Sequence, residues 1–103
     1  MDYKIIFSRP AIADLREIVR YIAVNNPIVA ERFGKELIDR SKPLSHFPRL
    51  GRMVPEENDE CLREIVFKSY RIFYRVNDAS RLVEIVRFWH AARGTPEIPK
   101  YLD

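Results

Sequence analysis

The spacing of apolar residues predicts one strand and two helices in the first half of the chain. Residues Tyr3 to Phe7 are mostly β-branched or aromatic, which is typical of a short strand. From residue 10 to about residue 24, apolar side chains recur at every third or fourth position, the spacing of one helix face, and Ser8 is the predicted N-cap. Asn26 followed by Pro27 predicts the start of a second helix. The two helices should form an antiparallel hairpin with a tight turn.

The spacing changes to alternation in the second half of the chain, where we predict three strands. They cover Cys61 to Phe67, Tyr70 to Val76 and Leu82 to His90. The order strand, helix, helix, strand, strand, strand indicates one α+β domain over residues 1–103. Its helical hairpin should pack on one face of an antiparallel sheet. Pro43, late in the second helix, should bend or end the last helical turn.

Alternation along the middle strand assigns its side chains to two faces of the sheet. The apolar set that should face the helices is Ile72, Tyr74 and Val76. Arg71 and Arg75 should then stand together, exposed, on the open face of the sheet. The acidic residues from Glu56 to Glu60 are expected to form a solvated loop before the first of these three strands.

Charge is concentrated in the predicted sheet. Residues 63–94 carry seven basic and three acidic side chains, a net charge of +4, whereas the whole chain has a net charge of only +3. The clustering of cations, more than the total charge, therefore predicts a surface that meets an acidic partner.

Composition narrows the class further. A chain of 103 residues that is 47% hydrophobic fits a single compact domain. One cysteine, Cys61, and no Cys/His pair at zinc-ligand spacing imply no metal site. Three glycines cannot build a phosphate-binding loop, so no cofactor is expected. No apolar run is long enough to span a bilayer, so we expect a cytoplasmic protein without membrane contact.

Four segments in order resemble the RelE/ParE superfamily of bacterial toxins from type II toxin–antitoxin systems. They are S-x-x-A-x-A-D-L-x-x-I-x-x-Y-I from Ser8, FPRLGRMVPE from Phe47, LREIVFKSYRIFYRV from Leu62 and VRFWHAARG from Val86. The resemblance covers nearly the whole chain and implies the fold that the periodicity predicts. It also implies one of two activities. RelE-like members are ribosome-dependent messenger ribonucleases, whereas ParE-like members, the plasmid stabilisation toxins, inhibit growth by poisoning DNA gyrase.

Cleavage of RNA needs cations that hold the phosphate and side chains that transfer protons. If the chain is a nuclease, the candidate catalytic residues are Arg63, Arg71, His90 and Arg93. The sequence departs from the RelE-like pattern because Ala91 and Ala92 follow His90, and the late tyrosine, Tyr101, lies in a Pro-containing tail. The ParE-like interpretation, without catalytic residues, is therefore favoured. A superfamily member with another activity, or with none, is the third interpretation.

The resemblance also implies an antitoxin as partner, in addition to gyrase or, for a RelE-like protein, the ribosome and its message. An apolar helix of the antitoxin should occupy the groove beside Tyr21 and the first helix, and an acidic extension should bind the cations of the sheet. The predicted cations are Arg63, Arg71, Arg75 and Arg87. Structural roles are open alternatives for other residues: His90 as a hydrogen-bonded residue that pins the last strand, Trp89 as core packing and Arg93 as a partner of the acidic loop.

Overall fold

Both predicted helices are present in the computed structural model, which describes residues 2–98. The N-terminal elements are β1 (Lys4–Phe7), α1 (Arg9–Ala23) and α2 (Pro27–Ser41). The side-chain oxygen of Ser8 accepts a hydrogen bond from the backbone N–H of Ala11 at 3.1 Å, which confirms the predicted cap of α1. Asn26 caps α2 in the same way, through the N–H of Val29 at 3.1 Å. Each cap satisfies a backbone donor that the first helical turn leaves without a partner.

Pro43 marks the end of the second helix. The α-helix stops at Ser41, and the chain continues as a 3₁₀ helix over Lys42–Ser45, which contains Pro43. Proline has no N–H to continue the α-helical hydrogen-bond ladder, so the tighter 3₁₀ geometry takes over. The predicted end of the last turn is thereby confirmed.

The second half of the chain supplies four strands. They are β2 (Arg52–Met53), β3 (Leu62–Phe67), β4 (Tyr70–Asn77) and β5 (Leu82–His90), and a 3₁₀ turn over Ala91–Arg93 follows them. The last three strands confirm the predicted ones to within one residue at each end. The sequence pattern does not predict β2, because two residues are too few to show an alternation of apolar and polar side chains.

The sheet is mixed, which corrects the expectation of a fully antiparallel sheet. Its strand order is β1-β5-β4-β3-β2, and β1 pairs parallel to β5 while the other neighbours pair antiparallel. The predicted α+β class, the order of elements and the helices on one face are otherwise confirmed. Alternation identifies a strand but not its direction relative to a partner some eighty residues away, so the parallel pair follows from tertiary packing alone.

The main core lies between the helices and one face of the sheet. Its buried residues are Ala11, Leu37, Leu44, Phe67, Ile72, Tyr74, Val76, Val83, Ile85 and Phe88. Leu15 and Ile18 of α1 and Phe33 of α2 pack against this cluster. The predicted assignment of the apolar face of β4 to the helices is therefore confirmed.

The opposite face of the sheet is covered as well. A second buried cluster there contains Val54, Leu62, Phe73 and Val86, with Trp89 and Ile98 packed against it. A β-bulge permits this arrangement, because Phe73 pairs with Arg87 and Tyr74 pairs with Ile85, so the register passes over Val86. The loop after β2 and the segment after β5 thus lie across a face that the sequence predicts to be open.

No helix within residues 2–98 is long and apolar enough to cross a membrane. The same part of the chain contains no group of three or more His, Cys, Asp or Glu side chains placed to hold a metal ion.

Candidate functional site

Arg71 lies on the predicted face of β4, but it is buried in a network of carboxylates. The residue is 8% exposed. Its Nη1 and Nη2 atoms donate to the two carboxylate oxygens of Glu56 at 2.8 and 2.9 Å, and its Nε donates to Glu64. Thr95 also donates to Glu56, at 2.6 Å. These hydrogen bonds lower the pKa of Glu56 from 4.5 to about 2, and the contribution from Arg71 is the largest.

The other two arginines of this face are also paired within the chain. Arg75 donates to Asp59 at 2.6 Å. Arg87 makes a two-pronged pair with Asp14 of α1, at 2.7 and 2.8 Å, and this carboxylate raises the pKa of Arg87.

The expectation of an exposed cationic face is therefore wrong. The acidic loop is solvated as expected at Glu57 and Glu60, but Glu56 and Asp59 of the same loop bind Arg71 and Arg75. Local alternation places a side chain on a face, but it carries no information on which distant loop covers that face. One sequence signal indicates this pairing: the four acidic residues between positions 56 and 60 match the net charge of +4 over residues 63–94. Whether the arginines contact a partner stays a prediction.

The structure does not bring the four candidate nuclease residues together. Arg63 lies on the helix-facing side of β3, beside Tyr74, and donates to the carbonyl of Gly51 at 3.0 Å. Arg71 lies on the other side of the sheet. His90 ends β5, and Arg93 lies in the turn after it. Arg71 reaches this turn, since its Nη1 lies 3.4 Å from the carbonyl oxygen of Gly94, which it contacts as a donor. Tyr101 lies outside the described residues.

Each residue at the end of β5 has a defined local contact. The backbone N–H of Ala92 donates to Nδ1 of His90 at 3.1 Å, so the imidazole holds the turn that follows the strand. Its ring lies edge-on to Tyr70, with 5.0 Å between ring centroids. The guanidinium of Arg93 lies 4.2 Å from the centroid of the Trp89 ring instead of in the acidic loop.

A cavity of about 390 Å³ opens beside this strand end. Its walls come from α1, β4, β5 and the turn after β5. The lining residues are Asp14, Glu17, Ile18, Tyr21, Tyr70, Phe88, His90 and Arg93. Burial raises the pKa of Tyr70, with a further contribution from Tyr21. Sequence reasoning includes Tyr21, His90 and Arg93 among its candidates but misses Tyr70, which the β4–β5 hairpin register places directly opposite His90.

An exposed apolar patch lies at the tip of the helical hairpin. Tyr21 is 77% exposed, Val24 81% and Ile28 72%. Tyr21 lies in the last turn of α1, Val24 follows this helix and Ile28 lies in the first turn of α2. Large apolar side chains with this exposure, close in sequence around a helix–helix turn, are typical of a surface that another protein covers.

The comparisons with known proteins identify the family. The sequence profile of the ParE toxin of the type II toxin–antitoxin system parDE matches residues 5–94. The chain belongs to this family. It is 36% identical over 91 residues to Toxin RelE2 of Caulobacter vibrioides, a match that covers 87% of this chain and 97% of that protein. The predicted place in the RelE/ParE superfamily is thus confirmed.

Solved structures of this superfamily share the fold of the ParE-family chain. The chromosomal ParDE system from P. aeruginosa superposes with a TM-score of 0.70 at 21% identity, over 85% of this chain and 95% of that one. The RelBE2 toxin–antitoxin complex from Mycobacterium tuberculosis superposes with a TM-score of 0.64 at 23% identity. This match covers 87% of this chain and 99% of that one. The protein is therefore a toxin of a type II toxin–antitoxin system with the RelE/ParE fold.

Proposed function

We propose that this toxin arrests growth by binding and poisoning DNA gyrase, and that a cognate antitoxin neutralises it in the cytoplasm. Membership of the ParE family supports the proposal. The single observation that carries it is the state of Arg71, the most deeply buried of the four candidate nuclease residues. Three carboxylate oxygens, two from Glu56 and one from Glu64, already occupy its guanidinium.

A scissile phosphate would have to displace these carboxylates or bind beside them. Glu64 has a fully buried side chain, which also accepts from Arg52 at 2.8 Å, so it has no route into solvent. A carboxylate fixed next to the phosphate opposes the negative charge that grows during cleavage. Arg63 gives no compensation, because it lies on the other side of the sheet. The arrangement thus favours action through protein contacts over catalysis at this face.

Two surfaces are suited to the antitoxin. The apolar patch of Tyr21, Val24 and Ile28 can receive the apolar face of a helix, by the helix-in-groove mode. An acidic extension would reach the cations of the sheet only by replacing the loop carboxylates of Glu56 and Asp59, whose side chains are each 39% exposed. We infer that the apolar patch contributes more to affinity than the cations do, because the cations are already paired.

A second candidate is the RelE-like message-cleaving activity. The observation that favours it is the cavity, where a phenol, an imidazole and a guanidinium converge from Tyr70, His90 and Arg93. The 36% identity to a protein called Toxin RelE2 supports it too.

His90→Ala and Tyr70→Phe separate the two candidates. Under the gyrase proposal, both variants still arrest growth when expressed without antitoxin, because neither alters a protein-binding surface by more than one side chain. Under the alternative, cleavage of ribosome-bound message falls by about 100-fold or more, the usual contribution of a positioned acid or base. Circular dichroism must show that each variant is folded. Loss of toxicity together with loss of message cleavage in folded variants would refute gyrase poisoning as the cause of arrest.

A further inference from the structure

The apolar patch at the tip of the helical hairpin has the size of a functional surface. Its residues Tyr21, Val24 and Ile28 are 77%, 81% and 72% exposed. An exposed aromatic side chain presents on the order of 150 Å² to solvent and an aliphatic one on the order of 80 Å², so the patch amounts to roughly 300 Å². An apolar patch of this size on a small protein is often a binding surface.

The backbone around the patch is fixed before any partner binds. The N–H groups of Asn25 and Asn26 both donate to the carbonyl of Ile22, at 3.1 and 3.0 Å, and the side chain of Asn26 caps α2. Gly34 lets α2 pack closely on α1, because a Cβ at this position would lie 2.7 Å from a methyl group of Val19. Association through the patch therefore orders few groups, which lowers its entropic cost.

Four charged side chains form a rim around the patch, two of each sign. Glu17 and Arg20 lie on α1, Glu31 and Arg32 lie on α2, and all four are exposed. Each is three or four positions from a patch residue, so it borders the patch on the helix surface. Within residues 2–98, none of the four side chains has an ion-pair or hydrogen-bond partner. The rim is thus neutral overall, and its charges are available to a partner.

The balanced rim decides between kinds of partner. A helical surface that binds an anionic membrane has a strongly basic polar face, which this rim is not. An acidic segment would meet repulsion from Glu17 and Glu31 as well as attraction from the two arginines. A second copy of the same chain fits better. In a two-fold contact a patch meets an identical patch, and a neutral rim places no excess of like charge against its copy.

We propose that a second copy of this chain covers the apolar patch in the free toxin, through a two-fold contact between two hairpin tips. Two patches and their rims bury about 1,000 Å² in total, which is small for a specific interface. The dimer is therefore weak, with a dissociation constant of about 10–100 µM. The antitoxin helix of the proposed function would cover the same patch. As far as that part of the proposed function holds, the dimer and the toxin–antitoxin complex exclude each other.

Sedimentation equilibrium of the purified full chain, without antitoxin, tests the proposal. Between about 5 and 500 µM we expect a reversible monomer–dimer equilibrium, and a monomer throughout this range would overturn the proposal. Val24→Glu should weaken the dimer by about tenfold or more, because it buries a carboxylate in the contact. Val24 is 81% exposed in the monomer, so the variant should keep its fold, which circular dichroism verifies.

Leu50→Glu is the matched control. Leu50 is also an exposed apolar residue, at 60%, but it lies in the loop before β2 and outside the patch. Its replacement should leave the dissociation constant unchanged. An equal loss in both variants would mean non-specific association of apolar surface, and an unweakened dimer in Val24→Glu would mean a contact elsewhere. Either result would contradict the proposal.

Charge reversal tests the two-fold contact itself. Arg20→Glu leaves one cation and three carboxylates in the rim, a net charge of −2, and Glu31→Arg leaves three cations and one carboxylate, a net charge of +2. Each variant alone should dimerise more weakly than the unaltered toxin, whereas their mixture should form a heterodimer at least about threefold tighter than either homodimer. A mixture without this preference would refute the contact. No step uses gyrase or antitoxin, so failure here leaves the proposed function untouched.

Discussion

Glu64 and Glu56 bind the same guanidinium, but the two replacements Glu64→Gln and Glu56→Gln should have unequal effects on stability. The side chain of Glu64 is 0% exposed and that of Glu56 is 39% exposed. Loss of one partner of a buried ion pair costs about 3–5 kcal/mol. Glu56 still compensates Arg71 in the first variant, and Arg52, the other partner of Glu64, is 62% exposed and can be solvated. We therefore expect Glu64→Gln to lower the free energy of unfolding by about 2–3 kcal/mol.

The cost of Glu56→Gln follows from its pKa. The decrease from 4.5 to about 2 corresponds to at most about 3 kcal/mol at neutral pH. Solvent screens a carboxylate that is more than one third exposed, so we expect about 1 kcal/mol. Urea unfolding of the purified toxin, followed by circular dichroism at constant m-value, measures both changes. If Glu56→Gln proved as destabilising as Glu64→Gln, the proposed division between a structural and a displaceable carboxylate would be wrong.

The remaining predictions concern the same fold. The pKa of Glu56 is lower in the folded state, so its contribution to the free energy of unfolding is full above about pH 4.5 and is lost as the pH falls towards 2. Glu56→Gln should therefore make the free energy of unfolding less dependent on pH between these values, which urea unfolding at several pH values measures. Gly51→Ala should cost about 2–3 kcal/mol in urea unfolding, because a Cβ would lie 2.4 Å from the backbone oxygen of Glu64, whereas Gly34→Ala, which meets a side-chain methyl at 2.7 Å, should cost less. Equal costs would contradict this reasoning. Ser8→Ala should lower the thermal midpoint by the equivalent of about 1–2 kcal/mol, since the hydroxyl caps α1 and also donates to β5 at 3.0 Å, and an unchanged midpoint would exclude that role.

Helix caps and periodicity explain why the sequence predicts the fold well. Ser8 and Asn26 are followed by apolar residues at helical spacing, and the same residues cap the two helices in the structure. These signals are local, so a single sequence contains them. The parallel pairing of β1 with β5 is not local, and no feature of residues 4–7 predicts it.

The candidate site is harder to predict, because long-range pairing decides it. Arg71 and Arg75 lie on the predicted face, yet the loop carboxylates of Glu56 and Asp59 neutralise them. Tyr70 lines the cavity because it pairs with His90 across the β4–β5 hairpin. The predicted ends of the two strands imply this pairing, but only if the residues of the turn between them are counted one by one. A local pattern gives the identity of the cations, but the fold decides which of them are available to a partner.

A DNA cleavage assay with purified gyrase tests the central claim, action through protein contacts, most directly. The toxin is incubated with gyrase and supercoiled plasmid, beside a parallel reaction with translating ribosomes and message. We expect linear DNA to accumulate in the first reaction and the message to stay intact in the second. Cleaved message together with unaltered plasmid would contradict the account.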